Sequence, residues 1–360
     1  MNSAESFSRD YAEGRAQFLQ AAAAAGANLE SLSHPERGPD GGELATDIAL
    51  IGERSAERFL VMISATHGVE GFCGSGAQVD FLRRAETARL PAGVAVLMIH
   101  AINPYGFAWL RRVTEDNIDL NRNWVDFTAP LPENPGYDAL AAAAAPAEWT
   151  AAAQTAAAQD LAAFASEHGF AALQQALSGG QYKHASGIFY GGQAPTWSRR
   201  TLTAIYREYL PGADRVAILD YHTGLGPWGF AEQILTDPPG SPGYSRALTW
   251  YGGALTCPAA GDSTSADVKG DNLAAAAGIL PQAEVTAVCL EVGTKSVAEV
   301  LNALRADAWL HAHGDPASPE GREIKREMRE AFYGDADDWK GMVAGQSLLA
   351  CRQAIRGLAA

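Results

Sequence analysis

The chain has 360 residues, 47% of them hydrophobic and 19% charged, with a formal net charge of −15. That acidity argues against nucleic acid or an anionic membrane surface as a partner, since both demand a basic face. No window of about eighteen uncharged apolar residues appears, so no membrane span is expected.

The N-terminal stretch Met1 to Asp10 lacks a basic region followed by an apolar one, so it does not read as a signal peptide. The 4 cysteines (Cys73, Cys257, Cys289, Cys351) are far apart and form no Cys-x-x-Cys pair. Free thiols and a cytoplasmic protein are the expectation.

In chain order, residues 8 to 26 predict a helix capped by Ser8 and stopped at Gly26. His34 to Gly42 reads as loop by its Pro and Gly content. Leu44 to Gly52 and Arg58 to Ala65 read as neighbouring strands joined by a charged turn. Helical spacing follows from Gly76 to Glu86, and Val94 to Ala101 is another buried strand. Residues 138 to 178 are rich in alanine, the strongest helix former, and predict one or two scaffold helices broken near Pro146. Gly179 to Gly192 then breaks the pattern, with Gly-Gly pairs bracketing Tyr182, His184 and Tyr190 in a shaped loop of the kind that carries function.

Further on, Trp197 to Tyr209 reads as helix and Asp214 to His222 as strand, followed at once by a Gly-rich loop. Glu232 to Thr236 is a short strand, Ser241 to Gly252 a helix, and Pro258 to Gly278 mostly loop. Glu284 to Val292 is a late strand ending near Glu291, and helices fill 296 to 312, 320 to 333 and 342 to 358. Strands alternating with helices predict an α/β fold: a mixed, mostly parallel sheet with helices on both faces. With no linker or internal repeat, residues 1–360 read as one domain on which the C-terminal helices of 296–358 pack.

Two histidines stand where an apolar strand gives way to a Gly-rich turn: His67, in His67-Gly-Val-Glu70, and His222. That is where α/β proteins place binding groups. Imidazole and carboxylate are both good zinc ligands, and a hydrolytic site needs three protein ligands with one position left for water. His67, Glu70 and His222 supply that set for one Zn2+ ion, provided that two strands separated by 155 residues lie close together. Bound zinc lowers the pKa of its water to about 7. A carboxylate must then take and return the proton, and Glu291 stands at the end of a strand to do so. Gly74-Ser75-Gly76 does not meet the Gly-x-Ser-x-Gly pattern of a serine hydrolase. His311 and His313 point to different sides of a helix and read as surface residues.

The run Asn103-Pro-Tyr-Gly106, Arg112, Asp119-Leu-Asn-Arg-Asn123 completes an ordered set with His67, Glu70, His222 and Glu291. This order resembles the zinc carboxypeptidases of the M14 type across roughly residues 58 to 295. The wording around it (Phe7-Ser-Arg-Asp-Tyr-Ala, Gly-Val-Glu70-Gly-Phe-Cys-Gly-Ser, Gly-Gln-Tyr-Lys-His184) is similar to the bacterial DUF2817 branch. The resemblance implies that His67, Glu70 and His222 hold zinc and that Glu291 is general base and later acid. It further implies that Arg112 stabilises the oxyanion, that Asn121 and Arg122 bind a terminal carboxylate, and that Asp119 supports His67. Tyr105 stands where the family has an acid, and Arg111 competes with Arg112 for the oxyanion role. The family's mobile-loop tyrosine has no match in Pro258 to Gly278, leaving Tyr182 or Tyr190 as substitutes. The activity implied is hydrolysis of an amide next to a free carboxylate, in a small peptide or N-acyl amino acid. Deacylases of the succinylglutamate desuccinylase and aspartoacylase type share these ligands, and a binding protein on a retired hydrolase fold is the remaining alternative.

Overall fold

A computed structural model describes residues 2–360. Strands β1 (Asn28–Arg37), β2 (Glu43–Ile51), β3 (Arg58–Ile63), β4 (Val94–His100), β5 (Arg215–Trp228), β6 (Ala231–Leu235), β7 (Leu255–Thr256) and β8 (Glu284–Gly293) form one sheet. Their order is β1-β2-β4-β3-β5-β8-β6-β7. The central run β4-β3-β5-β8 is parallel, and antiparallel pairs join β1 to β2, β2 to β4 and β6 to β8. The predicted mixed α/β sheet is present.

Alternation along β3 shows why both faces are covered. Phe59, Val61 and Ile63 enter one hydrophobic cluster while Leu60 and Met62 enter another. A strand buried on both faces is what a near-continuous apolar run encodes. Helices α1 (Tyr11–Ala24), α2 (Gly71–Arg83), α3 (Pro104–Ala108) and α4 (Pro135–Ala144) come first, then α5 (Ala151–His168), α6 (Phe170–Ser178), α7 (Trp197–Tyr209) and α8 (Pro242–Tyr251). The last four are α9 (Asn272–Ile279), α10 (Val297–His313), α11 (Pro319–Phe332) and α12 (Asp337–Ala359). Helices α1, α2, α8 and α12 cover one face, and α7 with α9 covers the other.

Several expectations need correction. The supposed loop at His34 is the end of β1, an edge strand, where Pro35 forfeits no ladder bond that the sheet needs. Strands β2 and β3 are not neighbours, because the α2 crossover returns the chain as β4 between them. Asp10, not Ser8, caps α1 by accepting from the Glu13 N–H. Helix α2 starts at Gly71, directly after Glu70, and β5 runs on past His222 to Trp228 with a register shift. The alanine-rich tract forms three helices rather than one or two. No helix among the described residues is long and apolar enough to cross a membrane.

The C-terminal helix is pinned to the site-bearing sheet by Trp339. Its ring is fully buried, meets Tyr333 edge-on at 5.7 Å, and donates from Nε1 to the Gly293 carbonyl at 2.9 Å. Trp339→Ala leaves a large cavity and an unbonded carbonyl at the end of β8. We expect a stability loss of about 3–5 kcal/mol in denaturant titrations.

Candidate metal centre

The three parallel strands β3, β5 and β8 end at the same edge, and the candidate residues gather there. Ile63 is level with Asp220, and His222 with Glu291. After β3 the chain takes a left-handed step at Ala65 (φ 59°), a conformation costing about 1–2 kcal/mol for a side-chain-bearing residue. Backbone bonds from Asn103 N–H to the Ala65 carbonyl and from Ile102 N–H to the Ser64 carbonyl over-determine that step. The His67-to-Glu70 turn then lies against the Arg111–Arg112 segment, whose carbonyls accept from Val69 and Gly68. Gly68 cannot be replaced, since a Cβ there would sit 2.0 Å from the Gly106 carbonyl carbon.

His67, Glu70 and His222 offer ligand atoms that all lie within 4.8 Å of one another, and all three are buried. The Nδ1 atoms of the two histidines face each other at 3.0 Å, and Glu70 is 3.1 Å from His67 Nδ1 and 3.0 Å from His222 Nδ1. Each outer ring nitrogen has its own carboxylate: His67 Nε2 meets Asp119 at 3.1 Å, and His222 Nε2 meets Asp220 at 2.9 Å. That arrangement sets the outer nitrogens as donors and turns both Nδ1 lone pairs inward. Two imidazole lone pairs and a carboxylate aimed at one another are mutually repulsive. They fit a divalent cation.

The electrostatics show how the set is held without a cation. Burial opposes the charged form of Glu70, yet His67 and Arg112 hold its carboxyl well below the usual range. Burial likewise opposes the imidazolium of His222, but Asp220 and Glu70 hold it well above the ordinary value, so that a proton between His222 Nδ1 and Glu70 takes the place a divalent cation would fill. Asp119 works as a hub. Despite burial it is kept far below the usual carboxylate range, first by Arg112 and then by His67. It accepts from Arg112 Nε at 3.0 Å and from the Asn121 N–H at 2.9 Å. Arg112 also donates to Glu70 at 2.8 Å. Glu291 is different: burial and the neighbouring Glu70 push it up to about 7. It accepts from the Leu225 N–H at 3.0 Å.

A cavity of about 260 Å³ opens beside these groups and is lined by His67, Arg112, Asn121, Arg122, His222 and Glu291. Arg122 lies deep in its wall, donating from Nε to the Ser178 carbonyl at 3.1 Å, from Nη2 to that same carbonyl, and from Nη1 to the Asn121 carbonyl at 2.9 Å. Its nearest carboxylate, Asp119, is 3.9 Å away and already shared. Arg111 does not reach the cavity. It is locked to Asp307 on α10 at 2.9 Å and to Asn117 at 2.8 Å, which leaves Arg112 as the arginine beside the candidate ligands.

The structure does not bring Tyr182, His184 or Tyr190 into the cavity. Tyr182 donates its hydroxyl to the Arg122 carbonyl at 2.6 Å, behind the arginine. His184 pairs with Asp138 at 3.0 Å on the outer surface. Tyr190 contributes its carbonyl, which accepts from the Asp119 N–H. Their loop matters as a brace, and its ring at the cavity is Phe189, which lies 5.4 Å from the Arg112 guanidinium carbon and 5.6 Å from that of Arg122. No tyrosine lines the cavity among the described residues. Two residues went unnoticed in the sequence. Asp220 carried a usable signal, since strand period puts it on the same face as His222. Asn272, which donates to Asp220 at 2.9 Å, carried none. Ser75 does touch a histidine, His100, at 2.9 Å, but both are fully buried in the core.

A family model described as "Protein of unknown function (DUF2817)" matches residues 7–346. The chain belongs to that family. No curated protein matches this DUF2817 member by sequence. Among solved structures it is similar to bovine thrombin-activatable fibrinolysis inhibitor bound to tick carboxypeptidase inhibitor, at 9% identity and TM-score 0.46, over 96% of this chain and 97% of that one. It is also similar to carboxypeptidase A from Helicoverpa armigera, at 12% identity and TM-score 0.44, over 90% and 74% of the two chains. A succinylglutamate desuccinylase from a Silicibacter species shares 12% identity at TM-score 0.40, over 79% and 66%. These likenesses concern the path of the chain alone.

Two outcomes follow from the geometry. Asp220→Asn removes the negative charge that orients and polarises His222 and is expected to weaken divalent-metal binding, probed with added Zn2+, roughly 10- to 100-fold in competition titrations against a chromogenic chelator. The second concerns pH in the metal-free protein. An acid whose pKa is raised on folding contributes stability that is full below its unfolded value and lost as pH rises through the folded one. Urea titrations of metal-free protein should therefore show wild type losing stability relative to Glu291→Gln between pH 4.5 and about 7.

Proposed function

We propose that this protein is a zinc-dependent hydrolase that cleaves an amide bond next to a free carboxylate. The reading rests on one observation: a buried His-Glu-His set opens onto a cavity that also holds a raised carboxylic acid and two arginines. Zinc, when bound by His67, Glu70 and His222, supplies Lewis acidity and makes its water far more acidic.

The remaining work falls to the chain. Glu291, tuned near neutrality, accepts the proton of the attacking water and delivers it to the leaving nitrogen. Its neighbour on the parallel strand is His222, so the base stands at a fixed distance from the metal ligands. Arg112 donates to the carbonyl oxygen as charge develops there, a contribution typically worth about 3–4 kcal/mol. Its hold on Glu70 and Asp119 keeps it aimed without any reorganisation at the moment of reaction. Arg122, with Asn121 beside it, receives the substrate's carboxylate. Three of its five N–H groups are directed to main-chain carbonyls, which fixes the plane of the guanidinium and leaves two donors, one on each terminal nitrogen, for an anion. Asp119 and Asp220 orient the two histidines. We place the protein in the cytoplasm as a single-domain enzyme, in keeping with four free cysteines.

Glu291→Gln is expected to retain stoichiometric zinc by elemental analysis while kcat falls about a hundredfold to ten-thousandfold. Near-wild-type turnover in that variant would remove Glu291 from the reaction. Arg122→Lys keeps the charge but loses the fork, so KM for a carboxylate-bearing amide should rise roughly 10- to 100-fold with a smaller change in kcat.

A further inference from the structure

The wall of the cavity that the chemistry leaves unused is apolar, and it is built by two helices. Helix α6 presents Phe170, Leu173 and Leu177 to the cavity, positions i, i+3 and i+7 of one face. Helix α10 presents Val297, Val300, Leu301 and Leu304, the same spacing with i+4 added. Phe189 and Phe332 fill the space between, in one hydrophobic cluster with Leu177, Val300 and Leu304.

Apolar lining deep in a protein is ordinary, but here it continues to the surface. Phe170 is 62% exposed and Val297 44%, so large apolar side chains meet water at the mouth of the cavity. The charged residues of the cavity all lie elsewhere, at the metal centre or on the 258–271 loop. The polar groups on the wall are engaged within the protein. The Gln174 side-chain amide donates to the Thr264 carbonyl at 2.9 Å, and the Ser178 hydroxyl to the Gln174 carbonyl at 2.7 Å. Thr223, next to the His222 ligand, donates its hydroxyl to the Phe332 carbonyl at 2.6 Å.

This wall suits one kind of substrate and penalises another. A peptide running along it would bury N–H and C=O groups without partners, which costs free energy at every residue. A hydrocarbon chain asks for no partners and gains from covering Phe170 and Val297. Resting on the hydrolase reading above, we propose that the physiological substrate is an N-acyl amino acid with a medium-to-long aliphatic acyl chain. The chain lies between α6 and α10, and the amino-acid carboxylate sits on Arg122. Hydrolysis breaks the amide C–N bond, with water giving its hydroxyl to the acyl carbon and a proton to the nitrogen. The products are a fatty acid and a free amino acid.

The test uses N-acyl-glycines from acetyl to dodecanoyl, titrated by calorimetry into zinc-loaded Glu291→Gln protein, with wild-type hydrolysis followed in parallel. Affinity should rise about fourfold per added methylene, the equivalent of ~0.8 kcal/mol per buried CH2, until the cleft is filled. The double variant Leu173→Gln/Leu301→Gln in the Glu291→Gln background alters two partly exposed wall residues. Its ratio of dodecanoyl to acetyl affinity should fall at least tenfold, a ratio taken within one protein and so insensitive to general loss of fold. A flat chain-length series, or tighter binding of peptides with polar residues before the scissile bond, overturns the proposal. Affinity that climbs with chain length while no acyl-glycine or peptide is hydrolysed upholds the cleft and defeats the hydrolase reading instead.

Discussion

The whole edge of this sheet depends on a cluster of buried carboxylates and on what neutralises it. Glu70, Asp119, Asp220 and Glu291 are all buried within a few side chains of one another, and the cationic side chains among them that are charged at any ordinary pH are Arg112 and Arg122. Burying ionised carboxylates is expensive unless they are paired or coordinate a metal. The protein answers by stacking ion pairs around Asp119 and by letting Glu291 keep its proton near neutrality. The inward-facing imidazoles complete a set whose demand is for positive charge. The features that make the site costly to fold are those on which the proposed reaction draws, the usual relation between stored strain and function.

Parallel pairing is what makes such a site buildable from distant residues. His222 and Glu291 are partners on adjacent strands, while β3 lies on the other side of β5 and delivers His67 and Glu70. A hairpin-built site would need its groups close in sequence. A parallel sheet brings them together at strand ends however long the crossovers are. Long crossovers also leave room for the α4–α6 excursion, which adds a wall to the cavity without disturbing strand order.

The strands and most helices were legible because apolar periodicity reports burial, and β3, β4, β5 and β8 are buried on both faces. The edge was not. Strand β1 contains a proline and alternates weakly, as an edge strand is free to do, so composition pointed to loop. The three metal-ligand candidates could be named in advance because their types and positions at strand ends carry chemical meaning, and the structure brings them together. Residues that act through packing carried no such mark. Phe189 is one ring in a loop that also holds two tyrosines and a histidine, and Asn272 meets Asp220 only through the fold of α9. Spacing to Asn121 favoured Arg112 over Arg111, but only the backbone direction shows that the two side chains diverge, Arg111 toward Asp307 and Arg112 toward the cavity.

The alanine-rich tract is more than scaffold, since α6 within it lines the cavity. Alanine makes the helices form, but the large residues scattered among them decide what the tract does. Because α6 carries its cavity-facing residues on one helical face and supplies no metal ligand, that face can vary by substitution while the centre stays intact. On the proposed reading, the reacting groups and the substrate-facing wall belong to separate parts of the chain, so that one can be recut without dulling the other.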